Sequence, residues 1–170
     1  MTRVFLISDT HSYIDERILH YAAKADQIWH AGDIGSIEVT DSLASIKPLR
    51  AVYGNIDDHN LRAQFPKELL FDCEGVSVLL THIAGYPKKY NTYTQNLIQQ
   101  HQPNLVICGH SHILKVLKDS HYGHLHMNPG AAGIHGFHQI RTALEFTIDT
   151  DRILDLKVIE FGARGATGQK

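Results

Sequence analysis

The chain of 170 residues is poor in cysteine, tryptophan and proline, which occur two, one and five times, and it contains no long hydrophobic run. Two cysteines, Cys73 and Cys108, are too few for a disulfide scaffold, so the expected compartment is a reducing cytoplasm. Apolar stretches reach only about five residues, against the ~20 of a membrane-crossing helix, and no membrane association is expected. The N-terminus turns acidic at Asp9, before the apolar core of a signal peptide can form. Neither sign of charge prevails: 16 Lys and Arg against 18 Asp and Glu give −2 with no basic run, which argues against nucleic acid as a partner. Missing too are Gly-x-x-x-x-Gly-Lys-Ser/Thr, Gly-x-Ser-x-Gly and paired Cys-x-x-Cys. With them go the P-loop NTPase, serine-hydrolase and structural-zinc classes.

What is present is an ordinary globular composition, 43% apolar and 20% charged, in a length that suits one domain. The domain is expected over residues 1–161, followed by a loose, glycine-bearing tail at 162–170. Short apolar runs at 4–7, 27–30 and 49–53 read as strands. Between them Ile14, Ile18, Leu19 and Ala22, and then Val39, Leu43 and Ile46, fall at helical spacing. Alternating strand and helix implies parallel strands with crossover helices. Further strands are expected at 76–80, 105–108, 114–118, 124–128, 141–148 and 153–161, with a helix through Tyr93, Leu97 and Ile98 that ends before Pro103. The pattern is a mixed-sheet α/β sandwich with a β-rich second half.

Histidine is the outlier, with 13 copies. Five apolar strands each run into polar residues able to bind a cation: Asp9-Thr10-His11, Gly32-Asp33, Gly54-Asn55, Thr81-His82 and Gly109-His110-Ser111-His112. Ligands of open α/β sheets bind outside the carboxyl ends of the strands. Asp9 and His11 are two apart, as are His110 and His112; on extended backbone each pair points one way and approaches one cation together. Asp9, His11, Asp33, Asn55, His82, His110 and His112 make seven ligand-capable side chains, more than one four-coordinate ion uses, so two ions are expected with one group shared. Asp33, with two carboxylate oxygens, is the natural bridge. Two carboxylates, two dications and a hydroxide leave a formal charge of about +1, suited to an anionic phosphate.

The ordered set Asp-x-His, Gly-Asp, Gly-Asn, His and Gly-His-x-His, spread over residues 4–161, resembles the calcineurin-like metallophosphoesterases, and most closely their small single-domain bacterial and archaeal phosphodiesterases. The resemblance implies a two-sheet mixed β-sandwich flanked by helices, in four α/β/β/α layers. It implies that Asp9, His11, Asp33 and His112 hold a first metal ion, and that Asp33, Asn55, His82 and His110 hold a second. Manganese is the expected metal; iron, zinc and nickel are alternatives that the oxygen/imidazole set does not separate. The implied reaction is hydrolysis of a small-molecule phosphodiester through attack by a metal-bridging hydroxide, with Asn55, Asp57 and His82 as the catalytic group. Relatives are often dimers or tetramers. Two alternatives share the fold: a non-catalytic protein-binding scaffold such as the small subunit of the retromer coat, and a phosphomonoesterase.

Two positions depart from the family pattern. Many relatives carry a leaving-group histidine directly after the Gly-Asn, where this chain has Ile56, so acidic leaving groups such as phenols should react best. Asp57 is then expected to orient a metal-ligating histidine. In Asn128-Pro129-Gly130-Ala131, alanine replaces a serine common in relatives and removes a hydroxyl donor. The segment 85–93 mixes aromatics with cations and reads either as a lid, with Asn55, Tyr86 and Lys88 contacting substrate, or as a solvated loop with Tyr93 packed inward. His121, His124, His126, His135 and His138 cluster in the C-terminal half; His124 and His126 share one strand face, which reads either as an extra metal or substrate contact or, as expected here, as a solvated face. His30 is either a support for the metal ligands or a packed structural histidine. Cys73 and Cys108 are expected to be inert.

Overall fold

A computed structural model describes residues 1–165. The elements run β1 (Thr2–Ile7), α1 (Glu16–Lys24), β2 (Gln27–His30), α2 (Ile37–Ala44), β3 (Leu49–Ala51), α3 (His59–Gln64), β4 (Glu68–Cys73), β5 (Val76–Thr81), α4 (Thr92–His101), β6 (Leu105–Ile107), β7 (Leu114–Lys118), β8 (Leu125–Pro129), β9 (Ile140–Asp149) and β10 (Arg152–Ala163). They form two five-stranded mixed sheets, ordered β10-β9-β1-β2-β3 and β4-β5-β6-β8-β7.

The apolar runs are continuous because both faces of the central strands are covered. In β1, Val4 and Leu6 point between the sheets, where they join Trp29, Phe146, Val78, Leu80, Leu105, Ile107 and Met127. Phe5 and Ile7 point the other way, onto Ile18 and Ala22 of α1 and Val39 and Leu43 of α2. Leu79 and Val106 do the same in the second sheet, packing on Ile98 of α4. The result is the expected four-layer α/β/β/α sandwich. Each aliphatic side chain buried in this way contributes roughly 1.5–3 kcal/mol.

Helix starts are set by side-chain caps. Asp15, Asp58 and Asn91 accept from the amides of Ile18 (2.9 Å), Leu61 (3.0 Å) and Thr94 (2.8 Å). α4 stops at Gln102, which is left-handed (φ 47°), just ahead of Pro103.

Apart from shifts of a residue or two at the ends of other elements, the structure departs from the sequence reading at β4, α3, β3 and β10. β4 and α3 were not expected. β4 is an edge strand whose Leu70 is 41% exposed, and it pairs with β5 through the turn at Glu74 and Gly75. β3 ends at Ala51, before Tyr53. β10 runs on through Ala163, two residues past the strand expected over 153–161, and residues 166–170 of the expected tail lie outside the described residues. No helix among the described residues is long and apolar enough to cross a membrane.

Candidate metal centre

The parallel strands β1, β2, β5 and β6 end at one edge of the sandwich, and backbone bonds tie their exit loops together. Asp9 N donates to Gly32 O (3.0 Å), His11 N to Asp33 O (3.1 Å) and Gly109 N to His82 O (3.0 Å). Asp9 (φ 53°), His11 (45°), Asp33 (51°), His110 (72°) and His112 (59°) all adopt left-handed backbone, which is costly for residues with a Cβ and concentrates strain at this edge. Close approach also requires glycine. A Cβ at Gly54 would overlap Asp33 Oδ1, and one at Gly109 would overlap Ser8 Oγ.

The side chains converge in two groups, Asp9 with His11 and His112, and Asp33 with His82 and His110; within each group the ligand atoms lie within 4.8 Å of one another. Asp33 joins them: Oδ1 is 3.1 Å from His82 Nε2, and Oδ2 is 3.5 Å from His11 Nε2. Asp9 Oδ1 lies 3.2 Å from His112 Nε2. His110 and His112 fall in different groups, which corrects the expectation from spacing that this pair shares one cation; neither sits on extended backbone, where that expectation would apply. Asn55 is exposed and lines a cavity beside His82.

Neighbouring groups fix the ligand orientations. His82 Nδ1 donates to Ala31 O at 2.7 Å and leaves Nε2 facing inward. Asp9 Oδ2 accepts from Ser8 Oγ (2.6 Å) and His110 N (3.1 Å), so Oδ1 is the free oxygen. His138 Nε2 donates to Gly133 O (2.8 Å). Its Nδ1 therefore accepts from His112 Nδ1 (3.2 Å), and His112 Nε2 is left to face Asp9. Asn128 Nδ2 donates to Gly109 O (2.9 Å) and Ser111 Oγ (3.1 Å) and braces the Gly-His-Ser-His loop. Ala132 N and Gly133 N donate to Ser8 O and Asp9 O, so the loop after β8 clamps the exit of β1 through its backbone.

Several expectations change here. Asp57 orients no imidazole: Oδ2 accepts from Gly54 N (2.7 Å) and Ile34 N (3.1 Å), and Oδ1 accepts from Gly35 N (2.8 Å). It ties the Asp33 loop to the Gly54-Asn55 loop. His124 and His126 are buried, not solvated, because the Tyr90 hydroxyl bonds both (2.9 and 2.8 Å) and covers their strand face. Tyr93 is 41% exposed with Lys67 Nζ 3.8 Å above its ring, so it does not pack inward. Tyr86 lines a cavity beside His110, whereas Lys88 lines a separate one with Tyr90 and Asp119 and is not brought to the metal-facing groups. His30 is fully buried: Nε2 donates to Thr10 Oγ1 (2.9 Å), Nδ1 accepts from Gly32 N (3.2 Å), and burial pushes its pKa down to about 4. Burial likewise pushes the Cys108 thiol up to about 12, as an inert cysteine requires. Ser8 carries no sign of a role in the sequence, and His138 none beyond its place among the C-terminal histidines.

Burial works against charge throughout the centre, and the partners decide the outcome. Asp33 ends below the ordinary carboxyl range because His82, the Ile56 amide and His11 outweigh its desolvation. His82 ends above the ordinary imidazole value because Asp33 and Asp9 outweigh burial. His11 is pushed down by burial despite both carboxylates.

The residues fit metal ions. Asp9 Oδ1, His11 Nε2 and His82 Nε2 are buried and face the centre; they meet only one another and the neighbouring ligand side chains, at 3.1–4.0 Å and without well-aligned hydrogen bonds, which is costly unless another ligand satisfies them. The donor set is oxygen and imidazole without thiolate, suited to a first-row dication.

The calcineurin-like phosphoesterase superfamily domain model matches residues 2–151, and the chain belongs to that superfamily. It is 28% identical to a probable metallophosphoesterase of Methanothermobacter thermautotrophicus over 165 residues, which are 93% of this chain and 92% of the relative. Among solved structures, an archaeal phosphodiesterase superposes with a TM-score of 0.75 at 18% identity, covering 94% of this chain and 99% of the other. Vps29 of Entamoeba histolytica, solved in complex with zinc, superposes at 0.72 and 15% identity with the same shares covered. These two likenesses show the fold.

Proposed function

We propose that the chain is a binuclear phosphodiesterase that hydrolyses a small-molecule phosphodiester in the cytoplasm, with manganese as its metal. The observation that carries this reading is the pair of ligand groups joined by Asp33, whose two oxygens face opposite imidazoles. Asp9, His11 and His112 would hold one ion and His82, His110 and Asn55 the other, with Asp33 between them. Two dications bound there supply an activated water and a clamp on the phosphoryl oxygens. The chain's own groups set the rest. The bonds from His82 to Ala31 and from His112 to His138 occupy the Nδ1 side of each ring and turn Nε2 inward, where it can serve as a ligand. Asn55, exposed at the rim, offers its amide to a substrate oxygen. Ile56 is 46% exposed and has no proton to give, so the leaving oxygen departs unassisted and phenolic diesters react fastest. A scaffold would keep this fold but has no use for six converging ligand side chains.

The test is hydrolysis of bis(p-nitrophenyl) phosphate and p-nitrophenyl phosphate before and after chelation. The expected result is loss of diesterase activity with the metal, its return with Mn2+, and a faster diester than monoester. Full turnover without metal overturns the mechanism, and a faster monoester overturns the diester assignment.

A further inference from the structure

Two cavities with no lining residue in common flank the second ligand group. One, of about 170 Å³, opens beside His110 and is walled largely by Ala84, Gly85, Tyr86 and Ile113. The other, of about 300 Å³, opens beside His82 and Asn55 and is lined by Tyr53, Arg62, Lys67 and Ile83. The His82 and His110 rings stand edge to face between them, with centroids 5.3 Å apart. The chain leaving β5 passes between the cavities, with Ile83 on one and Ala84 on the other. A phosphate held at this ligand group therefore has a recess on either side, one for each ester arm of a diester.

The recesses differ in chemistry. Beside His110, Tyr86 and Ile113 are 40% and 61% exposed, a large apolar surface left open to solvent. The one cation there, Lys115, has its ammonium 4.2 Å above the Tyr86 ring. Beside Asn55 stand two cations. Arg62 donates Nε to Asp57 O (2.7 Å) and Nη2 to Asn55 O (3.1 Å), neutral carbonyls that fix the guanidinium without cancelling its charge. Among the described residues neither Arg62 nor Lys67 forms an ion pair. Their other contacts are the faces of Tyr53 (4.7 Å) and Tyr93 (3.8 Å).

We infer that the substrate is an unsymmetrical phosphodiester: an apolar or aromatic ester group enters the Tyr86–Ile113 recess, and the opposite arm carries an anionic group to Arg62 and Lys67. The inference rests on the phosphodiester reading and narrows it to a substrate class. The aryl ring avoids water in the first recess, and the charged arm meets uncompensated cations in the second.

Three p-nitrophenyl diesters test it, with second arms that are phenyl, 3-carboxypropyl and choline. The nitrophenyl ring and leaving group are common to all, so differences report the second arm. The expected order of kcat/KM is carboxypropyl, phenyl, choline, with about tenfold between the charged extremes, as for one charge meeting two partly screened cations. Lys67→Glu takes the recess from two positive charges to none net, because Arg62 remains, and should abolish the difference between the charged pair while the metal content per chain is unchanged. Equal rates for the three arms, or an order that survives Lys67→Glu, overturns the inference. If none of the three is cleaved with metal bound, the phosphodiester reading fails. Titration calorimetry of the same compounds on metal-free protein then decides the recesses: the same order of affinity upholds them, and equal affinities overturn them.

Discussion

Asp57→Ala removes one small side chain that touches no proposed ligand, yet it should damage both fold and centre. Asp57 is 3% exposed, and its carboxylate is the acceptor for the amides of Ile34, Gly35 and Gly54. Ile34 and Gly54 are buried, so water does not readily replace the lost acceptor, whereas Gly35 is half-buried and can be solvated. Two buried, unsatisfied amides at roughly 2 kcal/mol each cost about 4 kcal/mol. For a domain of this size each kcal/mol lowers Tm by about 3 °C, giving a fall of about 12 °C. Asp57→Asn keeps the volume and one acceptor oxygen and should cost about half as much. The same bonds tie the loop of Asp33 to that of Asn55, so the metal-binding midpoint should rise in parallel with the loss of stability. Thermal melts of metal-free protein and manganese titrations measure the two effects. An alanine variant that melts within about 2 °C of the parent and binds manganese equally well would refute the reasoning.

Two further outcomes follow from other contacts. His138→Ala leaves His112 Nδ1 without its acceptor and should weaken metal binding about 10–100-fold, with partial rescue by His138→Gln; unchanged cobalt or manganese titrations in the alanine variant would show that the His112–His138 contact does not orient the ligand. Burial pushes the pKa of His126 down to about 4 from an unfolded value of 6.5, so the unfolded chain binds more protons between those values. Its contribution, about 3 kcal/mol, is therefore full above pH 6.5 and is lost as pH falls towards 4. Urea midpoints across that window should fall less steeply for His126→Gln than for the parent, and parallel profiles would contradict the assignment. His30 adds to the slope in both proteins and cancels in the comparison.

The central strands are legible in the sequence because both of their faces are buried, which turns Val4 to Ile7 and Leu105 to Ile107 into unbroken apolar runs. β4 lies at an edge and mixes buried with exposed residues, and α3 buries only Leu61, so neither leaves a periodic trace. The ligand types and their places at strand ends can likewise be read directly. What spacing does not give is the direction of each side chain: Asp9 and His11 converge while His110 and His112 part, although all four depart from extended backbone. Contacts between distant segments are equally hidden. Alternation shows that His124 and His126 share a face, but not that Tyr90, 34 and 36 residues away, covers it. His138 sits 26 residues from the ligand it supports, and Asp57 serves loops on both sides of α2.

The most direct test of the central claim is anomalous diffraction from crystals equilibrated with manganese. The account predicts two peaks per chain, one ligated by Asp9, His11 and His112 and one by His82, His110 and Asn55, with Asp33 reaching both. A single peak, or manganese bound elsewhere while these side chains remain unligated, would contradict it.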